Sequence, residues 1–298
     1  MTEATSGAAG AASAAGAAPP SGAAVAIASV DKVFEARGGT GRVDALQAID
    51  LTVAPGEFIS LIGPSGCGKS TLLRIVGDLT GATTGTVMVN GKGAGQARLD
   101  RDYGMVFQVP VLFEWRTVQR NVELPLEITG VPKEQREARA RAMLELVELG
   151  EFGGHHPWQL SGGMQQRAAI ARALALDPAI LLMDEPFGAL DEMTRERMNL
   201  ELLQIWRRTG TTVIFVTHSI PEAVFLSTRV VVMSPRPGRI TTIVPIDLPR
   251  ERDVDTREMD RYYELVTTVR EALRAGEGRA GPGASGGSRR VAAEGLGA

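Results

Sequence analysis

Two groups of residues in this chain have the types and spacing to handle phosphate. The first, Gly63-Pro64-Ser65-Gly66-Cys67-Gly68-Lys69-Ser70, fits the pattern G-x-x-x-x-G-K-[ST] and runs on into Thr71. Glycines at these places let backbone N–H groups turn inward around phosphate oxygens, and a helix opening near Lys69 adds the positive end of its dipole. Lys69 is then the charge that bridges the β- and γ-phosphates, and Ser70 a ligand for Mg²⁺. The chain uses four lysines against 28 arginines, yet a lysine stands here, where a compact charge suits better than a planar fork. Cys67 has no thiolate-activating base in view and is expected to be a small filler of the loop. The second group closes the apolar run Ile180-Leu181-Leu182-Met183 with Asp184 and Glu185. Asp184 is placed to hold Mg²⁺ through water, and Glu185 to orient and deprotonate an attacking water. The plainer alternative for the pair is an acidic turn that caps a helix.

These groups need a scaffold that brings them to one edge. EFISLIG before the glycine-rich turn reads as a strand and STLLRIVGDL after it as a helix, the context in which the motif is meaningful. Further strands are expected in AVAIASVDKVFEA, LQAIDLTV, TVMVNG and YGMVFQ, with a loop at 38–42. AILLM, TTVIFV and RVVVM are continuous apolar runs separated by helical segments, the pattern of a parallel sheet buried on both faces. In such a sheet ligands bind beyond the carboxyl ends of the strands, where Asp184 and Glu185 emerge. PKEQREARARAMLELVEL, residues 132–149, carries charges early and Met143, Leu144 and Val147 at helical spacing, which predicts a helical insertion.

Composition narrows the function. At 298 residues and 44% hydrophobic the chain can bury a substantial core, and its formal net charge of −3 offers no basic footprint for nucleic acid. A single cysteine, Cys67, rules out an internal disulfide and a multi-cysteine metal site, and it fits a reducing compartment. The Ala/Gly/Ser-rich start has neither a basic n-region nor a leucine-rich core, so it reads as a disordered tail rather than a signal peptide. No run approaches the roughly 20 apolar residues needed to span a bilayer. Any membrane association must therefore come through a partner.

Leu160-Ser161-Gly162-Gly163-Met164-Gln165-Gln166-Arg167 opens another helical pattern with a serine and two glycines, a second helix N-terminus able to hold an anion. Alone it is also what a capped helix looks like. With Lys69, Asp184 and Glu185 in the same chain, it resembles the signature motif of the ABC ATPase family. The other family motifs then fall in order. Gln108 resembles the Q-loop glutamine that contacts Mg²⁺ and the attacking water. Gly188-Ala189-Leu190-Asp191 resembles the D-loop, and His218 the switch histidine that touches the γ-phosphate. Phe34 stands where an aromatic residue stacks on adenine, with a core position as its alternative. His155 and His156 are expected at the surface.

The resemblance, which covers residues 24–245, implies an α/β phosphate-loop NTPase of ABC type: a RecA-like core, an antiparallel β subdomain and a helical signature subdomain near 110–175. A C-terminal helical extension at 246–276 and disordered tails at 1–23 and 277–298 complete the expected organisation. It further implies ATP and Mg²⁺ as ligands. Each ATP would be shared between Ser70, Lys69 and their neighbours in one copy and Ser161, Gly162 and Gly163 of a second copy, or their counterparts in a close paralogue, with Asp191 nearby. A permease, and indirectly a solute-binding protein, would be the partners at the cytoplasmic face of the membrane. The pattern EAVFLSTRVVVMSPRPGRI resembles importers of the nitrate, sulfonate and taurine group, and cargoes similar to thiamine precursors stay open. Departures at Asp78, Phe113-Glu114-Trp115 and Ser219 bear on the substrate group. Residues 108–117 are expected to meet the permease, Trp115 being either an anchor there or a core residue. Two other classes fit less well. A soluble ABC protein acting on nucleic acid or ribosomes calls for long coiled coils or tandem units, and a small-molecule kinase leaves LSGGMQQR and His218 without a role.

Overall fold

The computed structural model describes residues 22–35 and 41–278. The tails expected at 1–23 and 277–298 fall almost wholly outside these residues, as does most of the loop at 38–42. The first layer is an antiparallel sheet of order β2-β1-β4-β5, built from β1 Val25–Glu35, β2 Arg42–Val53, β4 Thr84–Val89 and β5 Lys92–Gly93. The second is a six-stranded sheet of order β10-β9-β3-β8-β7-β6, from β3 Phe58–Ile62, β6 Tyr103–Val106, β7 Ile180–Asp184, β8 Thr212–Val216, β9 Arg229–Met233 and β10 Ile240–Pro245. β9, β3, β8, β7 and β6 are parallel, and β10 is an antiparallel edge.

The continuous apolar strands are explained by two cores on opposite faces of this parallel sheet. Phe58 and Ile62, Leu181 and Met183, Val213 and Phe215, and Val230 and Val232 enter one core. Their neighbours Ile59 and Leu61, Ile180 and Leu182, Ile214 and Val216, and Val231 and Met233 enter the other. Since side chains alternate along a strand, a strand with no solvent face has no polar position to spare. Ser60, in the middle of β3, is polar and fully buried, and its hydroxyl accepts from that of Ser227 at 2.6 Å.

Helix α1, Lys69–Val76, and the antiparallel sheet cover one face, with short α2, Ala94–Leu99, beside β4 and β5. On the other face lie α5 Gly162–Leu174, α6 Glu192–Thr209, α7 Ile220–Leu226 and α8 Asp260–Gly278. Two more helices, α3 Val118–Ile128 and α4 Lys133–Leu146, pack on α5. α4 is the helix read from the charged run at 132–149. α3 escaped that reading because Pro125 stands inside it; Thr117 caps its start by accepting from the Arg120 N–H.

The segment after β10 also differs from expectation. Residues 246–254 are not helical; prolines 245 and 249 lie at its start. Only then come a 3₁₀ turn at Asp255–Glu258 and α8. α8 docks through buried Tyr262, Leu265, Val266 and Val269, and the Tyr262 hydroxyl donates to the Pro221 carbonyl at 3.1 Å.

Phe58, at the start of the central strand, is fully buried, edge-on to Trp206 with centroids 5.6 Å apart and 5.9 Å from Phe215. Phe58→Ala is expected to lower unfolding stability in urea by about 3–5 kcal/mol, the usual cost of an aromatic cavity.

Candidate functional site

The site is a cleft at the carboxyl end of the parallel strands, about 470 Å³, in which Phe34, Ser65, Lys69, Ser70, Asp184 and Glu185 share a wall with Gln108 and Thr71. β3 delivers its loop. Residues 63–68 curl from Ile62 into α1, and the Cys67 N–H donates to the Pro64 carbonyl at 3.3 Å. Gly68 caps α1 with φ of 105°, and a Cβ there would lie 2.6 Å from Leu46 Cδ2 and 3.0 Å from the Ala45 carbonyl oxygen. Only glycine satisfies both the dihedral and the space. No side chain caps α1, so its leading N–H groups are left for an anion.

Lys69 is 6% exposed, and its Nζ donates to the carbonyls of Gly63 at 2.8 Å and Pro64 at 3.1 Å. The ammonium is therefore held inside the loop rather than reaching into solvent. Cys67 packs below it, 1% exposed, and burial pushes its thiol above the usual range despite the neighbouring lysine.

Across the cleft, the Ser70 hydroxyl donates to Asp184 Oδ1 at 2.7 Å. This hydroxyl and carboxylate, with the Gln108 amide on the same wall, form an all-oxygen donor set of the sort a hard cation such as Mg²⁺ takes together with phosphate oxygens. Among the described residues no group of three or more His, Cys, Asp or Glu could hold a metal alone.

Glu185 follows at φ of 46°, its N–H donating to the Val216 carbonyl at 3.0 Å. The positive φ turns the chain out of the strand, and Glu185 Oε2 lies 3.3 Å from His218 Nδ1. The capping alternative for this acid does not apply, since the helix that follows, α6, is capped by Asp191, which accepts from the Thr194 N–H at 3.0 Å. That N–H, together with the Thr194 hydroxyl, holds the Asp191 carboxyl below its ordinary value.

His218 sits on a turn that the sequence reading left unexplained. The Thr217 hydroxyl donates to the buried carboxylate of Glu222 and accepts from the Ser219 N–H at 3.0 Å, while Ser219 Oγ accepts from the Glu222 N–H at 3.4 Å. Glu222 is 5% exposed, and desolvation raises its pKa. The signal for this knot was the spacing Thr217, Ser219, Glu222 around a histidine.

Phe34 is 42% exposed and faces the cleft, opposite Val43 in the β1–β2 pairing, with Lys32 Nζ 4.8 Å from its ring centroid. A core role is thereby excluded. Arg236, Val43 and Ala45 also line the cleft and were not anticipated. Arg236 Nη2 donates to the Gly66 carbonyl at 3.2 Å, a tie invisible without the β9–β10 turn folded back on the loop.

Ser161, Gly162, Gly163 and Asp191 are not among the residues lining this cleft. Ser161 caps α5, accepting from the Met164 N–H at 3.3 Å, and a Cβ on Gly163 would come within 3.1 Å of Thr194 on α6. The signature start and Asp191 thus form a second corner, whereas Gly188, at the other end of the D-loop, lies beside the cleft, where a Cβ would come within 3.5 Å of Gln108 Nε2 and 3.8 Å of Glu185 Oε2. α5 also anchors the segment after β6: Gln166 Nε2 donates to the Phe107 carbonyl at 3.3 Å, and Arg172 donates to the carbonyls of Val111 at 2.7 Å and Pro110 at 2.9 Å. Beyond it Trp115 is 73% exposed and stacks near Phe113 at 4.7 Å, so Trp115 is not core. His155 is exposed, and His156 stacks on exposed Trp158 at 4.4 Å.

A phosphate loop after the central strand, a carboxylate pair on the strand beyond its neighbour and a serine-glycine helix start in a separate subdomain together define a nucleotide-binding α/β protein. Residues 46–188 match the family model described as ABC transporter. The chain is 48% identical over 249 residues to the taurine import ATP-binding protein TauB of Rhizobium johnstonii, covering 82% of this chain and 94% of the relative. It is 45% identical over 239 residues to the nitrate import ATP-binding protein NrtD of Synechocystis sp., covering 80% and 87%. A solved structure of the ATP-binding cassette MJ0796, dimeric and bound to ADP and Pi, superposes with a TM-score of 0.65 at 37% identity, covering 74% of this chain and 98% of that one. The chain belongs to the ABC transporter ATP-binding protein family, and it is an ATPase.

Burial of Cys67 leads to a direct test of the loop. At pH 8 the native protein should react with an aromatic disulfide reagent more than about tenfold more slowly than the urea-unfolded chain, because a raised pKa and exclusion of the reagent both suppress thiolate attack.

Proposed function

We propose that this chain hydrolyses ATP to drive import of a small solute through a separate permease, bound peripherally at the cytoplasmic face of the membrane. The observation that carries the reading is the convergence in one cleft of Lys69, Ser70, Asp184, Glu185 and Gln108, with Ser70 already hydrogen-bonded to Asp184 at 2.7 Å. No helix among the described residues is long and apolar enough to cross a membrane, so a pathway for solute would belong to another chain. The import names of the taurine and nitrate relatives support that direction of transport, and a solute-binding protein would deliver the cargo from the far side.

In this reading Phe34 stacks on adenine, while the N–H groups of residues 63–71 and Lys69 hold the phosphates. Ser70, Asp184 and Gln108 would hold Mg²⁺, which when bound neutralises charge on the β- and γ-phosphates. Glu185 accepts a proton from the attacking water as the water's oxygen bonds to the γ-phosphorus and the bond to the β-phosphate oxygen breaks, releasing ADP and phosphate. His218, 3.3 Å from Glu185, steadies that carboxylate and reaches the γ-phosphate. The signature corner lies apart from the cleft of its own chain, so Ser161, Gly162 and Gly163 close the nucleotide of a second copy, with Asp191 beside them. The dimeric state of the MJ0796 cassette supports this arrangement.

Glu185→Gln keeps shape and hydrogen bonding but removes the base. Its ATPase rate should fall about 10²–10⁴-fold, and ATP should trap it as a dimer on size exclusion. Lys69→Ala should lose ATP binding and the dimer together; a Glu185→Gln protein turning over near the parental rate would remove Glu185 from the role of base.

The exposed Phe113–Trp115 pair fits an anchor on the permease. Trp115→Ala should leave the ATPase rate and melting temperature of the isolated subunit unchanged. In the assembled transporter it should cut permease-stimulated turnover about tenfold or more, the scale of an interface hot spot; loss of basal rate and stability together would count against the anchor.

A further inference from the structure

At the opposite end of β3 from the nucleotide cleft lies a second cavity, of about 340 Å³, whose walls include Glu57, Trp206, Ile246, Leu248, Arg250 and Arg252. β3 separates the two by its five residues, about 17 Å of extended chain. Nothing in the hydrolytic chemistry uses this cavity, yet its charge is unbalanced. Glu57 is committed to Arg229, whose Nη2 donates to it at 2.8 Å, and Glu251 is committed to Arg207. Among the described residues no carboxylate pairs with either Arg250 or Arg252.

Arg252 is 8% exposed, and desolvation brings its pKa down to about 10, which still leaves it cationic at neutral pH. Its Nη1 donates to the carbonyls of Phe225 at 2.6 Å and Ser227 at 3.0 Å and its Nε to that of Pro249 at 2.9 Å. Carbonyl dipoles satisfy those N–H groups without cancelling the charge. Arg250 is exposed, with its guanidinium carbon 5.6 Å from the centre of the Trp206 ring. Trp206 is 4% exposed, and its indole N–H is buried with no acceptor. Two cations without counter-charge, set against the apolar walls of Ile246, Leu248 and the indole, make a site for a negative group on a carbon body.

We propose that this cavity binds a small organic anion, a carboxylate or sulfonate with an apolar body, held by Arg250 and Arg252 and stacked beside Trp206. Inorganic oxyanions satisfy the charge but leave the apolar walls unused. Neutral apolar molecules do the reverse.

Trp206 reports on its own cavity once Trp115 and Trp158, both exposed, are replaced by phenylalanine. In the full-length Trp115→Phe, Trp158→Phe protein, titration with benzoate and with benzenesulfonate should give a saturable change in fluorescence, while benzyl alcohol at equal concentration should not. Arg252 closes the end of α7 and is left intact. Arg250→Gln and Arg250→Ala in the same background should each weaken the anions about tenfold or more, the scale of one lost charged hydrogen bond, with an unchanged melting temperature. Anions held only at the phosphate loop would be insensitive to Arg250. The proposal fails if neither anion gives a saturable signal, if both Arg250 variants bind as tightly as the parent, or if benzyl alcohol matches benzoate.

Discussion

The hydrogen bond between Ser70 and Asp184 is the contact on which the arrangement of this molecule turns. The two residues are 114 positions apart, one on the helix after β3 and the other ending β7, and β8 lies between their strands. They meet because the central strands are parallel and in register, Leu61 opposite Val216 and Asp184 opposite the same Val216. A parallel order of this kind requires each strand to be reached by a crossover, and the helices that make the crossovers cover both faces. The two-sided core and the single polar edge are thus consequences of one topological choice.

That edge works by placing charge where the backbone has already prepared for it. α1 opens without a side-chain cap, so its N–H groups remain available, and Lys69 is anchored on two carbonyls of its own loop. On the facing strand, the left-handed turn at Glu185 sets its carboxylate against His218. The histidine is fixed in its turn by Thr217 and the buried Glu222. Leaving Glu222 without its threonine would strand a buried acid, which is why a group that touches no substrate can matter to the geometry of one that does.

The helices α3 and α4 pack on α5, which also fastens the segment that leaves this edge. Gln166 and Arg172 hold the carbonyls of residues 107, 110 and 111, so the segment beginning at Gln108 is fastened to the same helix whose start carries Ser161. The segment leaving the nucleotide cleft and the signature corner thus meet on one helix, while Phe113 is fastened through its backbone to Asn121 on α3.

The sequence by itself determined the phosphate loop, the Asp184-Glu185 pair, the parallel sheet and the family, because each is encoded locally: glycines and a lysine at set spacing, apolar runs without a polar alternate, acids at a strand end. It could not determine what depends on distant parts of the chain lying side by side. Phe34 had a core position as its alternative and became a cleft residue only when β1 paired with β2 across Val43. Arg236 reached Gly66 only when the β9–β10 turn folded back, and α3 was hidden by Pro125, whose missing N–H matters less once neighbouring helices support the segment. Ser161 and Asp191 were assigned to the nucleotide by motif, yet in one chain both are helix caps set apart from the cleft. Spacing records which residues are near in the chain, whereas strand order and the packing of α5 on α6 decide which are near in space.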